Sequence, residues 1–329
     1  MIEISDQHVQ ALARSFLSLR PAKSFATQIT PRVGASDEAA LRVFLWASAI
    51  CHSTKGSLRG YYRGNFYNGW DYLLRAFCSA AEESETIVSP NSIKRISGGE
   101  LVDLLKGYAT DTQVSVSDAD RRAEILNECA IQLEEKFFGT VHELLKRSSN
   151  KIGGPHGAYS QLALLDAFQD PLKKKSSAFL ATVHFSGLWT INDHENVLPM
   201  MDYHRMRLLC RTGCVLIQDT ELRQALAFQK AIPLEIEEKI RSVCAQVCTD
   251  VVTITGIPMF EFDILLWAHA RSCCRNYPVC VGGKPENASF YQYIGEEFND
   301  QCVFQSWCSG FRDSAIREIW EPVVKTEHY

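Results

Sequence analysis

The sequence lacks a long apolar run: nowhere do about 18 consecutive apolar residues occur, the length that a membrane-spanning helix requires. Its first residues, Met-Ile-Glu-Ile-Ser-Asp, lack a basic start followed by an apolar core, so a cytoplasmic protein without a membrane partner is expected. Excess positive charge is missing too. The 34 Lys and Arg against 39 Asp and Glu give a net charge of -5, with a pI near 6.0. Binding a long nucleic acid would then need a local basic patch, and a small substrate is favoured. Long alternating strand patterns are scarce: Val114-Ser-Val116 and Thr253-Ile-Thr255 are too short to organise a sheet. Internal repeats and low-complexity tracts are absent.

What is present is an ordinary globular composition, 46% hydrophobic and 22% charged over 329 residues, enough to bury a sizeable core. Apolar residues recur at three and four, as in Leu126, Ile131, Leu133, Phe137 and Val141 with Glu124, Glu128, Glu134, Glu135 and Lys136 between them. Asp118 and Asp120 stand before this helix as start signals, and Gly139 near its end as a stop. The expected fold class is all-α, or predominantly α. Breaks fall at Pro31 to Ser36, Ser89-Pro-Asn-Ser, Asn150 to Pro155 and Val281 to Asn287. The expected organisation is a helical body over 1–272 and a cysteine-bearing extension over 273–329, packed on it. Twelve cysteines without a secretion signal read as free thiols or metal ligands rather than disulfides.

In Leu198-Pro-Met-Met-Asp-Tyr-His204, Asp202 stands where a helix would begin, and Gly213 where that helix would end. On local pattern Asp202 is an N-cap. Helix N-terminal amides favour an ionised carboxylate at such a position. Asp263 lies in the otherwise apolar Met259-Phe-Glu-Phe-Asp-Ile-Leu-Leu-Trp267, where a core-facing carboxylate needs a partner, Arg271 or Arg241 being candidates.

The run Met-Asp-Tyr-His-Arg-Met-Arg-x-x-x-Arg-x-Gly, from Met201 to Gly213, resembles a segment of the helix-hairpin-helix DNA glycosylase superfamily. More of the chain, from about residue 60 to 271, resembles the queuosine salvage protein family, the queuosine-nucleotide N-glycosylases. The matching pieces are Tyr62-Arg-Gly64 with Gly69-Trp70, Arg122-Ala-Glu-Ile-Leu-Asn-Glu128, Leu133-Glu-Glu-Lys-Phe137 and Gly139. Lys174 within Asp170-Pro-Leu-Lys-Lys-Lys175 follows, then Asp202-Tyr203, Glu237 to Arg241, and Phe262-Asp-Ile-Leu-Leu-Trp267 with Ala270-Arg271. The resemblance implies a helix-hairpin-helix glycosylase-like fold in which Asp202 and Lys174 are catalytic. Asp263, Tyr203, His204, Trp70 and Arg271 are the implied substrate-binding residues. Lys174 could instead belong to a solvated basic turn, and Trp70, Tyr61 and Tyr62 could stack a base or serve as core. Where the family carries an aromatic-rich segment, this chain has Ser48-Ala-Ile-Cys-His52-Ser-Thr-Lys-Gly56. That departure touches the identity of the base more than the reaction.

Cys273-(x6)-Cys280 and Cys302-(x5)-Cys308 are similar to the cysteine set of endonuclease III-type glycosylases, with a much longer middle spacer. The resemblance implies a 4Fe-4S cluster; four thiolates would equally suit zinc, and buried free cysteines are the third reading. None of these is required for hydrolysis. Cys210 with Cys214 and Cys244 with Cys248 recur at helical spacing and read as core.

The expected function is hydrolysis of the N-glycosidic bond of a queuosine-type, 7-deazaguanine nucleoside 5'-monophosphate. Its alternatives are a glycosylase acting on a modified base in DNA or RNA, and a non-catalytic nucleotide-binding protein.

Overall fold

The computed structural model describes residues 1–19, 33–54, 58–62, 65–106, 116–285 and 301–329. Elements along the first half are β1 (Ile2–Ile4), α1 (Asp6–Ser18), α2 (Asp37–Ala49), β2 (Arg59–Tyr62), β3 (Asn65–Asn68), α3 (Trp70–Glu83), α4 (Pro90–Ile93), α5 (Gly98–Lys106), α6 (Ala119–Phe137) and α7 (Val141–Arg147). There follow α8 (Ala158–Leu162), α9 (Lys174–Phe185), α10 (Tyr203–Thr212), β4 (Val215–Ile217), α11 (Thr220–Ala227), α12 (Leu234–Thr255), α13 (Met259–Ser272), α14 (Ser309–Arg312) and α15 (Ser314–Arg317). The fold is predominantly α, as expected. Among the described residues the strands form two antiparallel pairs, β1 with β4 and β2 with β3. Val114, Arg63 and Gly64 lie outside the described residues.

Two compact units emerge: Met1–Ala26 with Leu198–Lys325, and Thr27–Val197 with Thr326–Tyr329. In the first, α1 packs on α12, and α10 packs on α12 and α13. The buried rings of Phe16 and Phe262 meet edge-on at 4.7 Å, with Phe304 5.9 Å from Phe16. Trp307 Nε1 donates to Ser15 Oγ at 2.9 Å, so residues 301–325 share this unit's core with Leu198–Ser272. The Thr253-Ile-Thr255 alternation forms the last turn of α12. Tertiary packing of a long helix overrides a three-residue strand pattern.

The second unit is built around α2, whose residues Leu41 and Val43 to Ala49 are all buried. A helix apolar on every side must be covered on every side; here α3, α7 and α9 pack against it. Trp46 buries its ring and donates its N–H to the Val88 carbonyl at 2.9 Å. The helix expected before Gly139 is α6, ended by Phe138 and Gly139, both with positive φ. Asp118 is its cap residue but makes no side-chain capping bond.

Candidate active site

Asp202 opens α10 from an extended backbone, and its Oδ1 accepts the amide of Arg205 at 3.0 Å. This satisfies one of the amides that a helix start leaves without a partner. Gly213 closes the helix in the left-handed region, φ 87°, where an added Cβ would collide with Ser309 Oγ. The second Asp202 oxygen faces Arg205 Nη1 at 2.9 Å, while Arg205 Nη2 lies 2.8 Å from Asp263 Oδ2. One guanidinium thus bridges two buried carboxylates, 7% and 0% exposed.

The partner that Asp263 requires is therefore Arg205. The same Asp263 oxygen accepts the Met200 amide at 3.3 Å, and Arg241 Nε donates to the Met201 carbonyl at 3.1 Å. Both contacts pin the segment that delivers Asp202. Burial pushes the Asp263 carboxyl up to about 6, and the Asp202 charge adds to the rise while Arg205 opposes it. Near neutral pH Asp263 is still ionised, in keeping with its ion pair.

Tyr203 and His204 follow on the first turn with ring centroids 4.3 Å apart, both partly buried. Burial, then the neighbouring Arg207, holds the His204 imidazole well below its ordinary range. It is neutral, with Nδ1 3.2 Å from Arg207 Nη2. Arg271 stacks over Trp267 at 4.9 Å. Asp202, Asp263, Tyr203 and His204 are thus tied into one region of the first unit.

Trp70 and Lys174 belong to the second unit. Trp70 is the first residue of α3, partly buried after Gly69, while Tyr61 is half exposed against Phe66 at 5.3 Å. Lys174 is 8% exposed and Lys175 2%, which excludes the solvated basic turn for these two residues.

Arg205 carries no motif of its own in the sequence. Its signal was its place three residues after Asp202, where a helix brings side chains together.

The four expected metal ligands, Cys273, Cys280, Cys302 and Cys308, all lie in the first unit. Burial raises all four thiols, Cys273 to about 12 and Cys308 to about 11, and neighbouring cysteines add to the effect. Cys302 Sγ lies 3.4 Å from His269 Nε2, an imidazole that burial lowers to about 3. A metal requires thiolates. Among the described residues, no group of three or more His, Cys, Asp or Glu side chains is arranged to hold a metal ion. Cys210, Cys214, Cys244 and Cys248 are buried core thiols, as their spacing suggested.

Residues 44–153 match the queuosine salvage protein family. The family resemblance carried by Tyr62-Arg-Gly64 through Gly139 is borne out over that span. The queuosine salvage match includes Trp70 and Arg122 and ends before Lys174 and Asp202. Among solved structures, an 8-oxoguanine DNA glycosylase from Pyrobaculum aerophilum, complexed with 8-oxoguanosine, is similar at 12% identity and a TM-score of 0.47. The similarity covers 89% of this chain and 98% of that one. No curated protein matches in sequence. Among the described residues, no helix is long and apolar enough to cross a membrane.

Proposed function

We propose that the protein is an N-glycosylase that hydrolyses the bond between the sugar and base of a queuosine-type nucleoside 5'-monophosphate. The observation that carries this reading is the buried Asp202–Arg205–Asp263 bridge at the start of α10. The queuosine salvage match supports the choice of substrate class.

Cleaving the bond from C1' to the base nitrogen develops positive charge on the sugar. A fixed carboxylate beside C1' stabilises that charge, and a water held by the same carboxylate can complete hydrolysis. Asp202 is assigned this role. Arg205 and the helix cap fix its orientation, and Asp263 fixes Arg205. In this reading Arg205 and Asp263 are positioning residues, and the neutral His204 with Tyr203 supplies hydrogen-bonding and stacking groups for the substrate.

The test is to incubate the purified protein with queuosine 5'-monophosphate, unmodified nucleoside 5'-monophosphates and duplex DNA carrying modified bases, and to detect free base by mass spectrometry. Release of queuine from the nucleotide is expected. Release from DNA alone would replace the small-molecule substrate by a polymer, and release from none of them would refute the glycosylase reading.

A further inference from the structure

Arg207, one turn beyond His204 on α10, is held at every nitrogen by residues of the first unit. Its side chain lies over the Trp320 ring at 4.5 Å, and Nη1 is ion-paired to the buried Glu321 carboxylate. Nε donates to the Cys274 carbonyl and Nη2 to the Ala270 carbonyl, both at 2.9 Å. The remaining hydrogen of Nη2 serves His204 Nδ1, 3.2 Å away.

A guanidinium carries five N–H donors, has no acceptor and keeps its proton in proteins. The contact with His204 therefore runs one way: Arg207 donates, and Nδ1 accepts with its lone pair. Burial and then Arg207 hold the imidazole well below its ordinary range, with Arg271 and Arg205 acting in the same sense and the Asp202 charge against them, so the ring carries a single proton. With Nδ1 taken, that proton sits on Nε2, because the bond made by one imidazole nitrogen sets which tautomer is present. Nε2 has no hydrogen-bond partner among the described residues, and it is not sealed from solvent, since His204 is only partly buried. An open donor thus stands on the same helical turn as Asp202.

We propose that Arg207, anchored by Glu321, fixes the proton of His204 on Nε2, and that this N–H donates a hydrogen bond to a carbonyl oxygen or ring nitrogen of the departing base. The choice of acceptor rests on the glycosylase reading; the tautomer does not. As the bond to C1' breaks, negative charge grows on the base and positive charge on the sugar. A donor aimed at the base stabilises the first, and a neutral imidazole sets no cation against the second. No proton leaves His204 in this role. Arg207 and Glu321 act through it as positioning residues.

The test begins with the full chain at rest. Two-bond proton–nitrogen correlation spectra of protein labelled at histidine report the tautomer of each ring, and the signals lost in His204→Gln identify His204. A single Nε2–H tautomer at pH 7 is expected; an Nδ1–H tautomer or an imidazolium would overturn the proposal. Arg207→Gln exchanges a pure donor for an amide that can also accept, so both tautomers should become populated. A tautomer unmoved by that change would take Arg207 out of its role. Single-turnover release of base from queuosine 5'-monophosphate supplies a readout that does not depend on Arg207→Gln folding. His204→Leu should slow release about tenfold to a hundredfold, the scale of one hydrogen bond to a developing charge. His204→Gln, whose amide nitrogen can take the place of Nε2, should recover a large part of that loss, and equal losses in the two variants would overturn the donor role. A parent protein with the Nε2–H tautomer that releases no base would sink the glycosylase reading, and the acceptor with it, and leave the tautomer standing; base release by a protein whose His204 carries its proton on Nδ1 would do the reverse.

Discussion

Asp202 and Asp263, on different helices, share the guanidinium of Arg205, with contacts of 2.9 and 2.8 Å. The bridge links the start of α10 to the middle of α13. It also sets an asymmetry in what substitutions do.

Removing the cation leaves two buried carboxylates without their partner. Arg205→Met should cost about 3–5 kcal/mol of stability, the usual penalty for breaking a buried ion pair, read by urea denaturation. Asp263→Asn keeps an acceptor for Arg205 and the Met200 amide and should cost less. Equal losses in the two variants would show that Arg205 contributes packing rather than charge.

The raised Asp263 carboxyl gives a pH signature. Its ordinary value is 3.8 and its folded value about 6, so between them the folded state binds more protons than the unfolded one. Stability contributed by this group is fully present below pH 3.8 and is lost as pH rises through about 6. Asp263→Asn should flatten that part of the stability profile. The rate should rise as pH passes through about 6, because protonated Asp263 leaves Arg205 to neutralise Asp202 alone. A rate profile flat from pH 5 to 7 would contradict the coupling of Asp263 to Asp202.

Lys175 gives a signature of its own at alkaline pH. Its folded ammonium sits near 8 against an ordinary 10.5, so the unfolded state binds more protons between these values. Stability from this group therefore rises with pH through that window. Lys175→Met should remove the slope, and because a buried charge is exchanged for an apolar chain of similar length it should be neutral or stabilising at pH 7. Thermal unfolding in phosphate-free buffer from pH 7 to 10 checks both.

Several of these features were legible in the sequence. The periodicity around Leu126 and Leu133 marked α6, Asp202 and Gly213 marked both ends of α10, and the carboxylate in an apolar helix announced that Asp263 needed a partner. Which arginine it found was not legible, because Arg241, Arg271 and Arg205 are equally plausible until α10 and α13 are packed together. The lysine run left a solvated turn open as an alternative, and packing of α9 on α2 removes it by burying Lys174 and Lys175. Their carbonyl partners, at residues 49 and 51, are remote in sequence and carry no side-chain signal. The segment that stands where the family carries aromatic rings presents backbone carbonyls to cations.

Asparagine caps helices as well as aspartate, so Asp202→Asn retains the acceptor for the Arg205 amide and loses the negative charge together with the oxygen that faces Arg205 Nη1. The most direct test of the account is single-turnover release of queuine from queuosine 5'-monophosphate by this variant, with thermal unfolding as the control for folding. With the fold intact, the rate should fall by about 10³-fold, the scale of losing a group that stabilises transition-state charge. A folded Asp202→Asn protein that releases base within a few-fold of the parent rate would contradict the assignment of Asp202 as the catalytic carboxylate.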